Sequence, residues 1–211
     1  MSTKDHYQRA FEAYIRQRRL PYVSVDEARR ALLPDARPLK VDLPGLSPGS
    51  PLGASTLKSF DFVVYGPMSN MLVEVKGRKV ARRRPSTASP ASNNPPHREL
   101  APPPRVRLES WVTQDDVDSL DVWETLFGQG FEAIFAFVYW CEELPPAALF
   151  EDFVEVDERW YAIRCITIRD YRTSMRVRSP RWRTVHVPAA AFDRLSRPLT
   201  AAPTNGALAR A

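Results

Sequence analysis

The chain has 211 residues, with 30 Lys or Arg against 25 Asp or Glu, and a formal charge of +5. Apolar residues make up 44%, including ten Phe, seven Tyr and five Trp, enough for the core of one ordinary domain. No apolar run is long enough to span a bilayer, and the first twenty residues lack the apolar stretch of a secretory signal, so a cytoplasmic protein is expected.

The charge is unevenly spread. From Lys76 to Arg107 there are nine basic residues and one acid, Glu99, which makes this stretch +8 and leaves the rest of the chain at −3. Such a local excess predicts an anion-binding feature, or else a solubilising loop. Cys141 and Cys165 both lie in apolar runs, which predicts buried free thiols and not a disulfide or zinc site.

In chain order, residues 4–19 predict a helix. Tyr7, Ala10, Phe11, Tyr14 and Ile15 form its apolar stripe. Glu12 lies about 100° round the axis from Phe11, at the border of that stripe, where it either looks toward a site or pairs with Arg16 at i+4. Tyr22–Val25 predicts a short strand, and the following residues a helix ending near Leu33, before Pro34. A Pro-, Gly- and Ser-rich loop to Ser55, with a brief strand at 39–43, comes next.

Leu57–Tyr65 and Met71–Lys76 predict two strands joined by the turn Gly66–Asn70. Alternation places Asp61 on one face of the first, and Leu72, Glu74 and Lys76 on one face of the second. Residues 80–105 hold seven of the twenty prolines and predict a disordered basic insert within a single domain spanning 1–211. Beyond it, 105–111 predicts a strand, and Thr113 with Asp116 a capping box opening a helix to Phe127, closed by Gly128. Phe131–Cys141 predicts a central strand, and 153–157 and 160–168 two more. Residues 171–183 predict a charged loop, and Ala189–Leu195 a last helix.

Two carboxylates and a lysine on adjoining strands suit phosphodiester hydrolysis. A Mg²⁺ (or Mn²⁺) on Asp61 and Glu74, with the carbonyl of Val75 as a third oxygen, neutralises the phosphate and acidifies bound water. Lys76 would orient or deprotonate that water, or hold a phosphate oxygen; position alone leaves these open. Glu12 would serve as an outer ligand, directly or through water.

The pattern Asp61, twelve residues, Glu74-Val75-Lys76, after a helix bearing Glu12, resembles the PD-(D/E)XK nuclease superfamily, including Holliday junction resolvase-like and repair nucleases. The segments HYQRAFEAYIRQRRLPYVSVDEARRALLP and LVEVKGRK are also similar to a bacterial subfamily of that fold. The resemblance covers roughly residues 4–141. It implies an α/β fold with a restriction-endonuclease-like core, a mixed central sheet flanked by helices in α-β-β-β-α-β order. It further implies Glu12, Asp61, Glu74 and Lys76 as the functional set, with Gln114 as a polar residue of the following helix touching the site. The superfamily's proline before the first acid is Phe60 here.

The implied activity is metal-dependent endonuclease cleavage of DNA, structure-directed or non-specific, with RNA left open and a homodimer in keeping with resolvase-like relatives. Arg78, Lys79, Arg82, Arg83 and Arg84 would grip the backbone. The alternative is a binding or assembly protein that keeps the fold without turnover. Trp182, between Arg181 and Arg183, either stacks on a base or anchors its loop.

Overall fold

The computed structural model describes residues 5–32, 57–80, 108–142 and 152–199. Helix α1 (His6–Gln17) follows its apolar stripe: Ala10, Phe11, Tyr14 and Ile15 are fully buried. Arg19 then takes a left-handed backbone conformation, and strand β1 (Tyr22–Ser24) runs into helix α2 (Val25–Leu32). Strands β2 (Phe62–Tyr65) and β3 (Asn70–Val80) form an antiparallel hairpin, with β1 antiparallel to β2 on its outer side.

Strand β4 (Val112–Thr113) leads directly into helix α3 (Gln114–Phe127). Thr113 Oγ1 accepts from the Asp116 N–H, and the Asp116 carboxylate accepts from the Thr113 N–H, the reciprocal pair expected. Helix α3 carries the chain across to strand β5 (Phe131–Cys141), parallel to β3 from Asn70↔Phe131 to Val80↔Cys141. Strands β6 (Phe153–Val156) and β7 (Arg159–Thr167) complete the sheet. The strand order is β1-β2-β3-β5-β7-β6, with the β3–β5 pair parallel and its other pairs antiparallel. It is a mixed central sheet between helices, and its core follows the α-β-β-β-α-β order.

The sheet buries both faces. On one, α1 packs against Phe62, Val64, Val73, Ile134, Ala136 and Val138. On the other, Val117 and Leu120 of α3 pack against Leu72, Phe135 and Phe137, together with helices α4 (Ile168–Ser174) and α5 (Ala189–Leu195). A second sheet, β4-β9-β8, lies on this face, built with strands β8 (Arg176–Ser179) and β9 (Thr184–His186). Both cysteines are buried and free. Among the described residues, no helix is long and apolar enough to cross a membrane.

Four features differ from the sequence reading. The strand placed over Leu57–Tyr65 begins only at Phe62: the Asp61 N–H donates to the carbonyl of Val73, already the partner of Phe62, so Asp61 makes no pair with Glu74, and its carbonyl accepts from the Val25 N–H, each at 2.9 Å. Phe60 therefore joins the core of Val63 instead of that of Phe62. The next strand runs four residues past Lys76, since β5 supplies a parallel partner as far as Cys141. Leu108–Trp111 is not a strand, and the charged loop over 171–183 contains the end of α4 and all of β8. The proposed insert at 80–105, apart from Val80, and the strand at 39–43 lie outside the described residues.

The extension of β3 creates one close approach. Tyr7 of α1 lies flat on Gly77, where an added Cβ would fall within its ring. Gly77→Ala should therefore destabilise the protein by about 1–3 kcal/mol, the usual cost of overpacking. Urea unfolding measures this. Most of the loss should disappear in a Tyr7→Ala background, and an additive double mutant would disprove the contact.

Candidate active site

Strand β2 begins opposite Val73, and past that residue β3 continues along β5 with no strand on its other side among the described residues. The N–H and carbonyl of one strand residue point to the same edge. At Val75 that edge is the one β2 has vacated, and its N–H needs an acceptor. Asp61 supplies it: Oδ2 accepts from the Val75 N–H at 2.7 Å, and Oδ1 from Gln8 Nε2 at 2.5 Å. The carboxylate thus stands in for a missing strand, and the Val75 carbonyl opens toward the same gap.

Glu74 and Lys76 lie on the α3 face of β3. Lys76 Nζ donates to Glu74 Oε1 at 2.8 Å and to Asp116 Oδ2 at 3.0 Å. Lys58 Nζ bridges Asp116 Oδ1 at 2.9 Å and Thr113 Oγ1 at 3.2 Å. The capping box of α3 therefore also anchors two lysines of the cluster. Side chains of Glu74 and Lys76 keep 18% and 16% of their surface exposed, so the cluster is shallow and open to solute. A cavity of about 10 Å³ beside Glu74 and Asp116 has room for about one water or ion.

The charges respond to this arrangement. Burial, then the neighbouring Asp61 carboxylate, push the Glu74 carboxyl up to about 8. Burial also raises Asp61, against hydrogen bonds from Val75 and Gln8 and the charge of Lys76. Burial alone would lower Lys76, but Glu74 and Asp116 outweigh it and hold the ammonium above its ordinary value. For Asp116, burial is overcome by Lys76, Lys58 and Thr113, which lower it to about 2. The surroundings thus favour the charged forms of Lys76 and Asp116 and the neutral form of Glu74.

Asp61, Glu74 and Lys76 are thus brought together, with the Val75 backbone between them. Glu12 is engaged elsewhere: its Oε1 accepts from Arg16 at 2.8 Å and from the Tyr22 hydroxyl at 2.6 Å. Gln8, one turn earlier on α1, is the residue that reaches Asp61. Gln114 bonds Asp118 Oδ1 at 2.9 Å, one turn along α3, and Asp116 of the same helix meets the cluster in its place. Arg78 turns into the protein, stacked 4.0 Å over Trp111 and bonded to the carbonyls of Gly77 and Trp111, so it is not displayed to a backbone phosphate. Lys79 pairs with Glu142 at 2.6 Å and lies over Trp140. Arg82, Arg83 and Arg84 lie outside the described residues.

The sequence reading missed Gln8 and Lys58 as site residues and saw Asp116 only as a cap. The one available signal was that Asp116 doubles as an acid at the start of the helix following the Glu74 strand.

Among the described residues, no three His, Cys, Asp or Glu side chains form a ready metal-ligating group. What the cluster offers is two crowded carboxylates and a carbonyl on one strand edge. That donor set fits Mg²⁺, which binds one or two carboxylates and keeps several waters. A cavity of about 370 Å³ lies elsewhere, between the β2–β3 turn and the segment after α5; its wall includes Met68, Met71 and Leu199 and shares no residue with the cluster.

The architecture is that of a mixed α/β domain with its acidic cluster at the fork of two strands. Among solved structures, the chain is similar to Hjc of Archaeoglobus fulgidus, a Holliday junction resolvase, at 14% identity and a TM-score of 0.42, over 90% of this chain and 92% of that one. No protein-family model and no curated protein matches the chain. At that identity and score the likeness carries no functional argument, which falls to the cluster itself.

The raised Glu74 fixes a sign for stability. Between the ordinary 4.5 and about 8, the folded protein binds a proton that the unfolded chain has lost. Its contribution is full below 4.5 and is lost as pH rises through 8. Asp61 acts in the same direction, whereas Asp116 matters only below its ordinary 3.8. In chelator, the wild-type melting temperature should fall from pH 5 to pH 8. Glu74→Gln should flatten that slope and melt at least about 3 °C higher at pH 8.5, the shift expected of roughly 1 kcal/mol in a chain of this size. A variant that melts lower throughout would contradict the assignment.

Proposed function

We propose that the protein is a metal-dependent nuclease that hydrolyses phosphodiester bonds in DNA. The observation that carries this reading is the meeting of Asp61, Glu74 and Lys76 where β2 leaves β3, with the two carboxylates close enough to raise Glu74. Two acids share a partly buried site with one lysine between them. A divalent cation compensates such crowding, and a solvated protein surface gives no reason to build it.

Asp61 and Glu74 would hold the ion, with the Val75 carbonyl beside them; when bound, it would neutralise phosphate charge and lower the pKa of a coordinated water. The remaining roles belong to the chain. Gln8 and the Val75 N–H fix both oxygens of Asp61, so the carboxylate is already oriented. Lys76 is protonated, so it donates: it holds a phosphate oxygen or the attacking water and opposes charge developing on the phosphorus oxygens. A general-base role for it does not fit an ammonium paired with the ionised Asp116 carboxylate. Asp116 and Lys58 position Lys76, and Lys58 presents a second positive charge at the rim.

The test is cleavage of branched, single-stranded and duplex DNA with Mg²⁺ or Mn²⁺. Asp61→Asn and Glu74→Gln should each lower the rate on the order of 10³-fold, the scale for removing one preorganised electrostatic group. Calorimetric titration of Mn²⁺ should show binding to the wild type that is lost in Asp61→Asn. Unchanged cleavage in Glu74→Gln would defeat the proposal. Absent metal binding together with salt-sensitive DNA affinity would favour a non-cleaving binder.

A further inference from the structure

The hairpin of β8 and β9 carries a feature that the cluster does not use. Arg176 to Arg183 reads RVRSPRWR, four arginines and no acid. Trp182 is 69% exposed and Val177 67%, so the tryptophan anchors no loop. Its place at the tip is fixed: the Arg183 N–H donates to the Pro180 carbonyl across the turn at 3.2 Å, and Arg183 adopts a left-handed conformation. Arg181 lies over the Trp182 ring at 5.3 Å. Arg178 and Arg183 have acidic neighbours in Glu109 and Asp115, whereas Arg176 and Arg181 pair with no carboxylate among the described residues.

The root of this hairpin is joined to the catalytic cluster. Thr184 pairs with Thr113, and the Arg183 carbonyl accepts from the Gln114 N–H at 2.8 Å. Thr113 in turn bonds Lys58 and Asp116. The buried Tyr171 hydroxyl holds the base of the hairpin, donating to the carbonyls of Ser110 and Val185. The stem thus presents an exposed indole beside arginines that pair with no carboxylate among the described residues, a surface with an apolar face and positive charge together.

We propose that the β8–β9 hairpin binds unpaired nucleic acid, with Trp182 stacking on a base and Arg176 and Arg181 contacting the flanking phosphates, and so directs the cluster to single-stranded segments of its substrate. The indole face takes any base but needs it unstacked, which duplex does not offer. Arginine adds a planar cation suited to phosphate and to the ring. The directing role and the choice of a nucleic acid over a membrane rest on the nuclease reading, whereas the binding measurement needs no cleavage. An anionic membrane is the other ligand this chemistry admits, but the hydrogen-bonded link from Arg183 to the helix carrying Asp116 favours a nucleic acid.

Binding is measured in chelator, separately from cleavage, by anisotropy of labelled oligothymidylate, oligouridylate of the same length, and a duplex. Trp182→Ala should weaken single-strand binding about tenfold or more in at least one of the DNA and RNA arms. Duplex binding should stay within about twofold, a range well under the effect of one stacked base. Trp182→Phe should keep most of the affinity. Arg176→Ala and Arg181→Ala should each lower the log–log salt slope by about 0.7. A loss in one arm only identifies the sugar. No loss in either arm, an equal loss on duplex, or Trp182-dependent binding confined to phosphatidylserine vesicles would overturn the proposal. The same pattern in Glu74→Gln, whether or not the wild type cleaves, keeps this result independent of the catalytic reading.

Discussion

One unpaired edge governs the site. Strand β3 is twice committed up to Val73, to β2 on one side and to β5 on the other; beyond it, among the described residues, only β5 continues. A backbone N–H left on such an edge must find an acceptor, and at Val75 the acceptor is a side-chain carboxylate. That bond draws Asp61 into the plane of the sheet, next to the strand carrying Glu74 and Lys76. The register of β3 with β5 and the late start of β2 therefore create the geometry; the charged residues occupy it.

The second requirement is electrostatic. Asp61, Glu74 and Asp116 face Lys76 and Lys58, and each carboxylate occupies a distinct condition. Asp116 is fully compensated and stays ionised. Glu74, raised by burial and by the neighbouring Asp61 carboxylate, is pushed furthest toward its neutral form. Lys76 lies between Glu74 and Asp116, which hold its ammonium above the ordinary value.

What was legible in the sequence divides by range. Helix α3 and its cap were read to the residue because Thr113, Asp116 and Gly128 act within one turn of the helix ends. Strand β5 declared itself by eleven residues of almost unbroken apolar character. Asp61, Glu74 and Lys76 were visible because alternation along adjoining strands is local. Gln8 and Lys58 were not, since their partners lie more than fifty residues away and neither type marks a site by itself. Arg78 looked like surface charge, yet the parallel pairing of β3 extends past it and Trp111 covers it. Strand β8 has no apolar alternation, and becomes a strand only because β9 is there to pair with it.

Helix α1 finds its burial late. Ile163 and Cys165 of β7, Val154 of β6 and the chain at Leu199 share its core, and the Tyr14 hydroxyl bonds both Asp152 and the Leu199 N–H. The first helix thus ties the start of the described chain to its last residues as well as to the central strands. Gln8, which braces Asp61, sits on that same helix, so a change near Leu199 that loosens the helix would reach the acidic cluster through it.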